Sequence, residues 1–131
     1  MKLKLIKPPR EFVVGFKDHR VTLKDCAHIE LSADEQITFF TESGGEYDIT
    51  RKSWGFYATP SLNSRLPRYH LRPAFLKNRV GHFFIVLIEK GKEPLFQKYL
   101  ELERLNLIAW LDDPRSLGKL EKLFHEKRKK N

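Results

Sequence analysis

The chain has 131 residues, 40% of them hydrophobic, a single cysteine and a formal net charge of +8. That length suits one domain with a core of its own, and the lone Cys26 excludes an intramolecular disulfide or a thiolate zinc cluster and suits a reducing compartment. The longest apolar run, Phe83–Ile88, has six residues against roughly 18 for a membrane span, and residues 1–10 lack the apolar stretch of a signal peptide, so a cytoplasmic protein without a membrane partner is expected.

In chain order, Lys2–Lys7 alternates Lys with Leu as a strand does, until Pro8-Pro9 stops it. Glu11–Phe16 and Arg20–Lys24 flank a polar KDH turn. His28–Leu31 ends at SADE. Gln36–Thr41 leads into Glu42-Ser43-Gly44-Gly45, a hairpin turn, with Tyr47–Thr50 returning. Trp54–Thr59 is aromatic and extended, whereas Pro60–Pro73 is rich in turn formers and arginine and has the least regular pattern.

The second half changes character. Gly81 opens HFFIVLIE, which is too uniformly apolar for a strand with one wet face and predicts a central strand. A helix over Glu93–Leu105 follows, with Leu95, Tyr99 and Leu102 at helical spacing beside Phe96 and Leu100, and Asn106 can end it. Leu107–Leu111 predicts a short buried strand. Asp113 then offers an N-cap, Pro114 the first helical position, and Leu117, Leu120, Leu123 and Phe124 an apolar helix face. Strand–helix–strand–helix implies a right-handed crossover between two parallel strands. The expected fold is α+β, an N-terminal antiparallel β meander joined to a C-terminal βαβα unit, in a single domain over residues 1–125 with a basic tail over 126–131.

Charge is arranged in blocks. Residues 1–24 carry +5, residues 25–48 carry −7 without a Lys or Arg, residues 49–88 carry +7 without a carboxylate, and residues 89–131 carry +3. The arginines of the third block suit bidentate binding of phosphate or carboxylate. The alternative is that the acidic and basic blocks pair as neighbouring strands.

The five histidines, at 19, 28, 70, 82 and 125, show no metal-ligand spacing, so neither a metal nor another cofactor is expected. Cys26 and His28 would share a face of an extended segment, but a small apolar cysteine beside a surface histidine is the plainer reading. The informative stretch is Thr50–Arg72, TRKSWGFYATPSLNSRLPRYHLR. It mixes Arg51, Lys52, Arg65, Arg68 and Arg72 with Trp54 and Tyr57 as stacking surfaces and Ser61 and Asn63 as neutral donors. An extended Arg68–Arg72 would put Arg68, His70 and Arg72 on one face, where three cations repel unless an anion sits among them. Buried strand aromatics and solvated arginines would explain the same pattern without a ligand.

Overlapping that stretch, Gly45–Leu66 (GEYDITRKSWGFYATPSLNSRL), about one-sixth of the chain, resembles a segment of small bacterial proteins of uncharacterised activity associated with surface-polysaccharide gene clusters. The resemblance implies phosphorylated or nucleotide-activated sugars as the nearby chemistry. The residues predict a non-catalytic or accessory binding protein for a phosphate-bearing ligand, either an anionic small molecule (nucleotide, nucleotide-sugar, sugar phosphate) or single-stranded nucleic acid. The alternatives are a small enzyme acting on an activated sugar with His70 as acid/base, and a subunit-interface protein or homo-oligomer whose acidic and basic blocks meet.

Overall fold

The computed structural model describes residues 1–16, 18–58 and 60–130, with the side chains of residue 16 and residues 126–130 left aside. It is an α+β protein with antiparallel sheets and three helices. Its contacts gather into two compact units, Met1–Thr38 with Asp48–Ala58, and Phe39–Tyr47 with Thr59–Asn131.

In the first unit, β1 (Lys2–Phe16) and β2 (His19–Glu30) form a long antiparallel ribbon. The proline pair does not end β1 as its sequence predicts. Leu5 pairs with Ala27 and Arg10 with Asp25, so Ile6-Lys7-Pro8-Pro9 bulges out opposite Cys26, where no ladder donor is required. Phe12 then faces Leu23 and Val14 faces Val21, an apolar row left exposed. At the closed end Gly15 has φ +117°, and any Cβ there would meet the backbone of His19.

β3 (Gln36–Phe40) and β4 (Glu46–Lys52) form the expected hairpin, and β5 (Gly55–Tyr57) adds to β4. In the first unit, polar cross-strand pairs hold this sheet. Thr38 Oγ1 donates to the buried Asp48 Oδ1 at 2.8 Å, and Thr50 Oγ1 to Gln36 Oε1 at 2.9 Å.

The second unit is built on a three-stranded sheet in the order β7-β6-β8, with β6 (Leu71–Lys77), β7 (Phe83–Glu89) and β8 (Asn106–Trp110). The expected central strand HFFIVLIE is β7, at an edge. Its apolar residues serve two environments: Val86 and Ile88 face the core, while Phe83 and Ile85 face outward and stay 54% and 51% exposed. The central strand is β6, LRPAFLK, which its proline disguises. The Pro73 carbonyl accepts Leu111 N at 2.8 Å. In an antiparallel ladder the N and C=O of a residue point to the same side, so the missing N–H lies just beyond the last β6–β8 pair, Ala74–Trp110. The expected buried strand 107–111 is likewise an edge strand, with Ile108 exposed.

β7 and β8 both run antiparallel to β6, so they are parallel to each other but not adjacent, and the crossover steps over β6. Its helix, α2 (Glu93–Glu103), ends on Arg104 in the left-handed conformation and buries Phe96 and Leu100. These two, one turn apart, close the core of Ala74, Leu76 and Ile88. The row Leu95, Tyr99 and Leu102 faces out. A short α1 (Arg65–Arg68) precedes β6 and buries Leu66. The last helix, α3 (Pro114–Lys130), starts as predicted, with Asp113 Oδ1 accepting Arg115 N at 3.1 Å, and its backbone runs into the basic segment that begins at 126. Among the described residues no helix is long and apolar enough to cross a membrane.

Leu76, 1% exposed at the centre of this core, sets the expectation for stability. Leu76→Ala should cost about 2–5 kcal/mol in urea unfolding, whereas Leu95→Ala on the outer side of α2 should change it by no more than about 0.5 kcal/mol.

Candidate functional site

The candidate residues divide between the two units: Arg51, Lys52, Trp54 and Tyr57 belong to the first, and Ser61, Asn63, Arg65, Arg68, His70 and Arg72 to the second.

In the first unit the tight turn Ser53-Trp54 joins β4 to β5, with Lys52 opposite Gly55, Arg51 opposite Phe56 and Thr50 opposite Tyr57. Alternation therefore puts Arg51 and Phe56 on one face and Thr50, Lys52 and Tyr57 on the other. The Arg51 guanidinium lies over the Phe56 ring, 5.8 Å from its centroid, and donates to the Gly55 carbonyl at 3.4 Å. Lys52 Nζ bonds Asp34 Oδ1 at 2.5 Å. Trp54, Phe56 and Tyr57 are 69%, 58% and 52% exposed, so the aromatics of this turn and strand are not core.

The second unit uses half of its candidates, Ser61, Arg65 and Arg72, for structure. Ser61 Oγ accepts the Arg65 amide at 2.7 Å and steadies the start of α1. Arg65 lies over Tyr69, one helical turn on, at 4.7 Å. Arg68–Arg72 is not extended: Arg68 ends α1, and His70 turns through φ 68° before β6 begins. The shared face drawn from an extended segment is therefore absent. Arg68, Asn63 and the His70 side chain are exposed, and the His70 carbonyl accepts Lys90 N at 2.9 Å.

Arg72 already holds anions, and they belong to the protein. Its Nε donates to Asp112 Oδ2 at 2.8 Å, Nη2 to Asp112 Oδ1 at 3.3 Å and Nη1 to Glu93 Oε2 at 3.4 Å. The guanidinium also sits 3.9 Å from the Trp110 ring centroid. The Asp112 hydrogen bond raises the Arg72 pKa above its usual value. Glu93 and Asp112 lie 21 and 40 residues away, and no local pattern announces them.

The acidic block takes cations from two blocks: Arg10 at 3.1 Å from Asp25 and Lys2 at 3.6 Å from Glu30 reach it along the ribbon from residues 1–24, and from residues 49–88 Lys52 meets Asp34, ahead of β3. His28 Nε2 lies 2.9 Å from Asp25 Oδ2, while Cys26 Sγ donates to the Lys24 carbonyl at 3.4 Å, so the imidazole is held by a carboxylate and not by the thiol. The bond to His28 is the main cause of the lowered Asp25 pKa. Among the described residues no three His, Cys, Asp or Glu side chains gather as a metal site.

Two carboxylates of the second unit are held below their ordinary pKa of 4.5. Glu89 is lowered first by the Ser43 hydroxyl at 2.5 Å, then by Thr41 and the charge of Lys92. Glu93 is lowered by backbone amides, its own and that of Gly91 at 2.6 Å, and then by Arg72.

Three outcomes follow. Asp112→Ala should lower stability by about 1–3 kcal/mol, since it strips a half-buried guanidinium of its main partner. Because Asp112 fills the fork, melts in matched chloride and phosphate should shift wild type and Arg72→Ala equally. The depressed carboxylates stabilise the fold fully above their unfolded-state value and lose that contribution as pH falls through the lower folded-state value. Melts taken from about pH 6 to about pH 3 should therefore decline in acid, and Glu93→Gln should flatten the decline.

The chain matches no protein-family model, no curated protein and no solved structure.

Proposed function

We propose that this is a binding protein for a ligand that joins phosphate to a flat ring, such as a nucleotide, a nucleotide-sugar or single-stranded nucleic acid. The site is the β4–β5 end of the first unit. The exposure of Trp54, Phe56 and Tyr57 around one tight turn carries the reading. These rings are spread around the hairpin end, Trp54 in the turn, Phe56 beside Arg51 on one face and Tyr57 beside Lys52 on the other; their solvation costs the free protein hydrophobic free energy, and stacking on a base recovers it. Arg51 stands over the Phe56 ring, and among the described residues its one side-chain hydrogen bond, to the Gly55 carbonyl, leaves further donors for phosphate oxygens. Lys52 is held by an ion pair whose Asp34 side chain is 73% exposed, a contact weak enough for a phosphate to displace. Arg72 is left out of the site, because Asp112 and Glu93 occupy its fork.

The enzymatic alternative, with His70 as acid/base on an activated sugar, has less behind it. Among the described residues no carboxylate orients the His70 side chain, and a working acid/base ordinarily has such a partner. The resemblance of Gly45–Leu66 to proteins associated with polysaccharide genes favours nucleotide-sugars among the small ligands.

Fluorescence titration at low salt with oligo(dT), with UDP-glucose and with UMP tests the site. Trp54 emission should be quenched, affinity should fall steeply with added salt, and Trp54→Ala should weaken binding about 5–100-fold while leaving the melting temperature unchanged. Absence of binding to all three probes, or equal binding by Trp54→Ala, would overturn the proposal.

A further inference from the structure

β7 ends its sheet on an edge that lacks the usual guards. Phe83–Ile88 contains no charge, no proline and no bulge, and it pairs with β6 in unbroken register from Lys77–Phe83 to Leu71–Glu89. Soluble proteins ordinarily blunt such edges, because an open row of N–H and C=O groups templates pairing with another strand.

The direction of that row can be read from two hydrogen bonds. The His82 carbonyl accepts Asn78 N at 2.9 Å, and Lys90 N donates to the His70 carbonyl at 2.9 Å. Even-numbered residues therefore turn their backbone groups toward β6. Phe83, Ile85 and Leu87 turn theirs outward, where among the described residues no strand pairs with them. Their side chains lie on the sheet face opposite the one that α2 covers. There Phe83 stacks on Phe75 at 5.5 Å, and Phe83 and Ile85 remain more than half exposed.

We infer that β7 pairs antiparallel with β7 of a second copy of this chain, about a two-fold axis at Ile85. The strand's own sequence selects that occupant. With the axis at Ile85, every outward-facing residue meets another: Ile85 meets its own equivalent and Phe83 meets Leu87 of the second copy, so both rows of donors and acceptors are satisfied. Charge agrees with this register. Glu89, the first charged residue at the end of the strand, falls opposite Gly81, and Lys90 falls opposite Val80, so no like charges face one another. The two three-stranded sheets become one of six, and the exposed Phe83 and Ile85 become its middle. This contact lies in the second unit and is independent of the ligand platform on β4–β5.

Sedimentation equilibrium under reducing conditions tests the pairing, reduction excluding disulfides through the exposed Cys26. Wild type should show a monomer–dimer equilibrium. Ile85→Lys places two ammonium groups against each other on the axis and should be monomeric with an unchanged far-UV circular dichroism spectrum. In a Cys26→Ser background, Ile85→Cys should form a disulfide-linked dimer on oxidation, since directly opposed residues of this kind lie about 5.5 Å apart at Cα. A wild type that stays monomeric at concentrations up to roughly 1 mM, a dimer unaffected by Ile85→Lys, or a dimer that fails to cross-link through the Ile85→Cys thiol would overturn the proposal.

Discussion

Arg72 projects from the middle strand onto the core side of its sheet, and the second unit is organised around that one guanidinium. Its fork takes both oxygens of Asp112, just past the end of β8, while its remaining nitrogen reaches Glu93 at the start of α2. Its plane lies over Trp110, which in turn meets Phe96 edge-on at 5.7 Å. One side chain thus ties the central strand, an edge strand and the covering helix together. Lysine could not do this, since it offers no planar fork for a carboxylate and no flat face for an indole. Glu93 is itself fixed by the Gly91 amide, so the turn between β7 and α2 is set by the same contact.

What this arrangement leaves open matters as much as what it closes. Only Phe96 and Leu100 of α2 are buried; they close the core over Ala74, Leu76 and Ile88, while Phe84 at the other end of β7 stays 43% exposed. On the other face of β7, Phe83 and Ile85 stay more than half exposed. In the first unit a two-stranded ribbon and a three-stranded sheet expose Phe12, Val14, Val21 and Leu23 as well as the aromatics of the β4–β5 turn. A two-stranded ribbon is marginal in water unless something covers it. Exposed apolar residues set singly need no explanation, but rows of them on strands do. The chain holds its architecture with polar ties such as Thr38–Asp48 and Arg72–Asp112 and leaves much of its aromatic surface exposed.

Local chemistry made some of this legible in the sequence. The Asp113-Pro114 cap, the periodicity of α2 and the Glu42–Gly45 turn depend on neighbours in the chain, and all three appear where their residues place them. The misreadings came from non-local effects. Pro8-Pro9 signals a break, yet a bulge opposite Cys26 absorbs both rings. Pro73 hides the central strand because only the β8 ladder, some forty residues on, determines that its missing N–H costs nothing. The apolar run of β7 looks central because burial on two faces and burial on one face with an open second face leave the same composition. Of the candidate site, the Arg51–Tyr57 stretch was readable from its mixture of residue types, but its exposure was not. Arg72 was readable as an anion-binding fork, while its partners Asp112 and Glu93 were out of reach of any local pattern.

Native-state hydrogen exchange, comparing wild type with Arg72→Ala, tests whether this fork organises the second unit. In wild type the β6 amides that bond to β7 and β8 should exchange slowest, together with those of Phe96 and Leu100 in α2. In Arg72→Ala these three elements should lose protection together and to a similar degree, as one cooperative unit. Loss confined to residues beside position 72, with α2 and β8 as protected as before, would contradict the account.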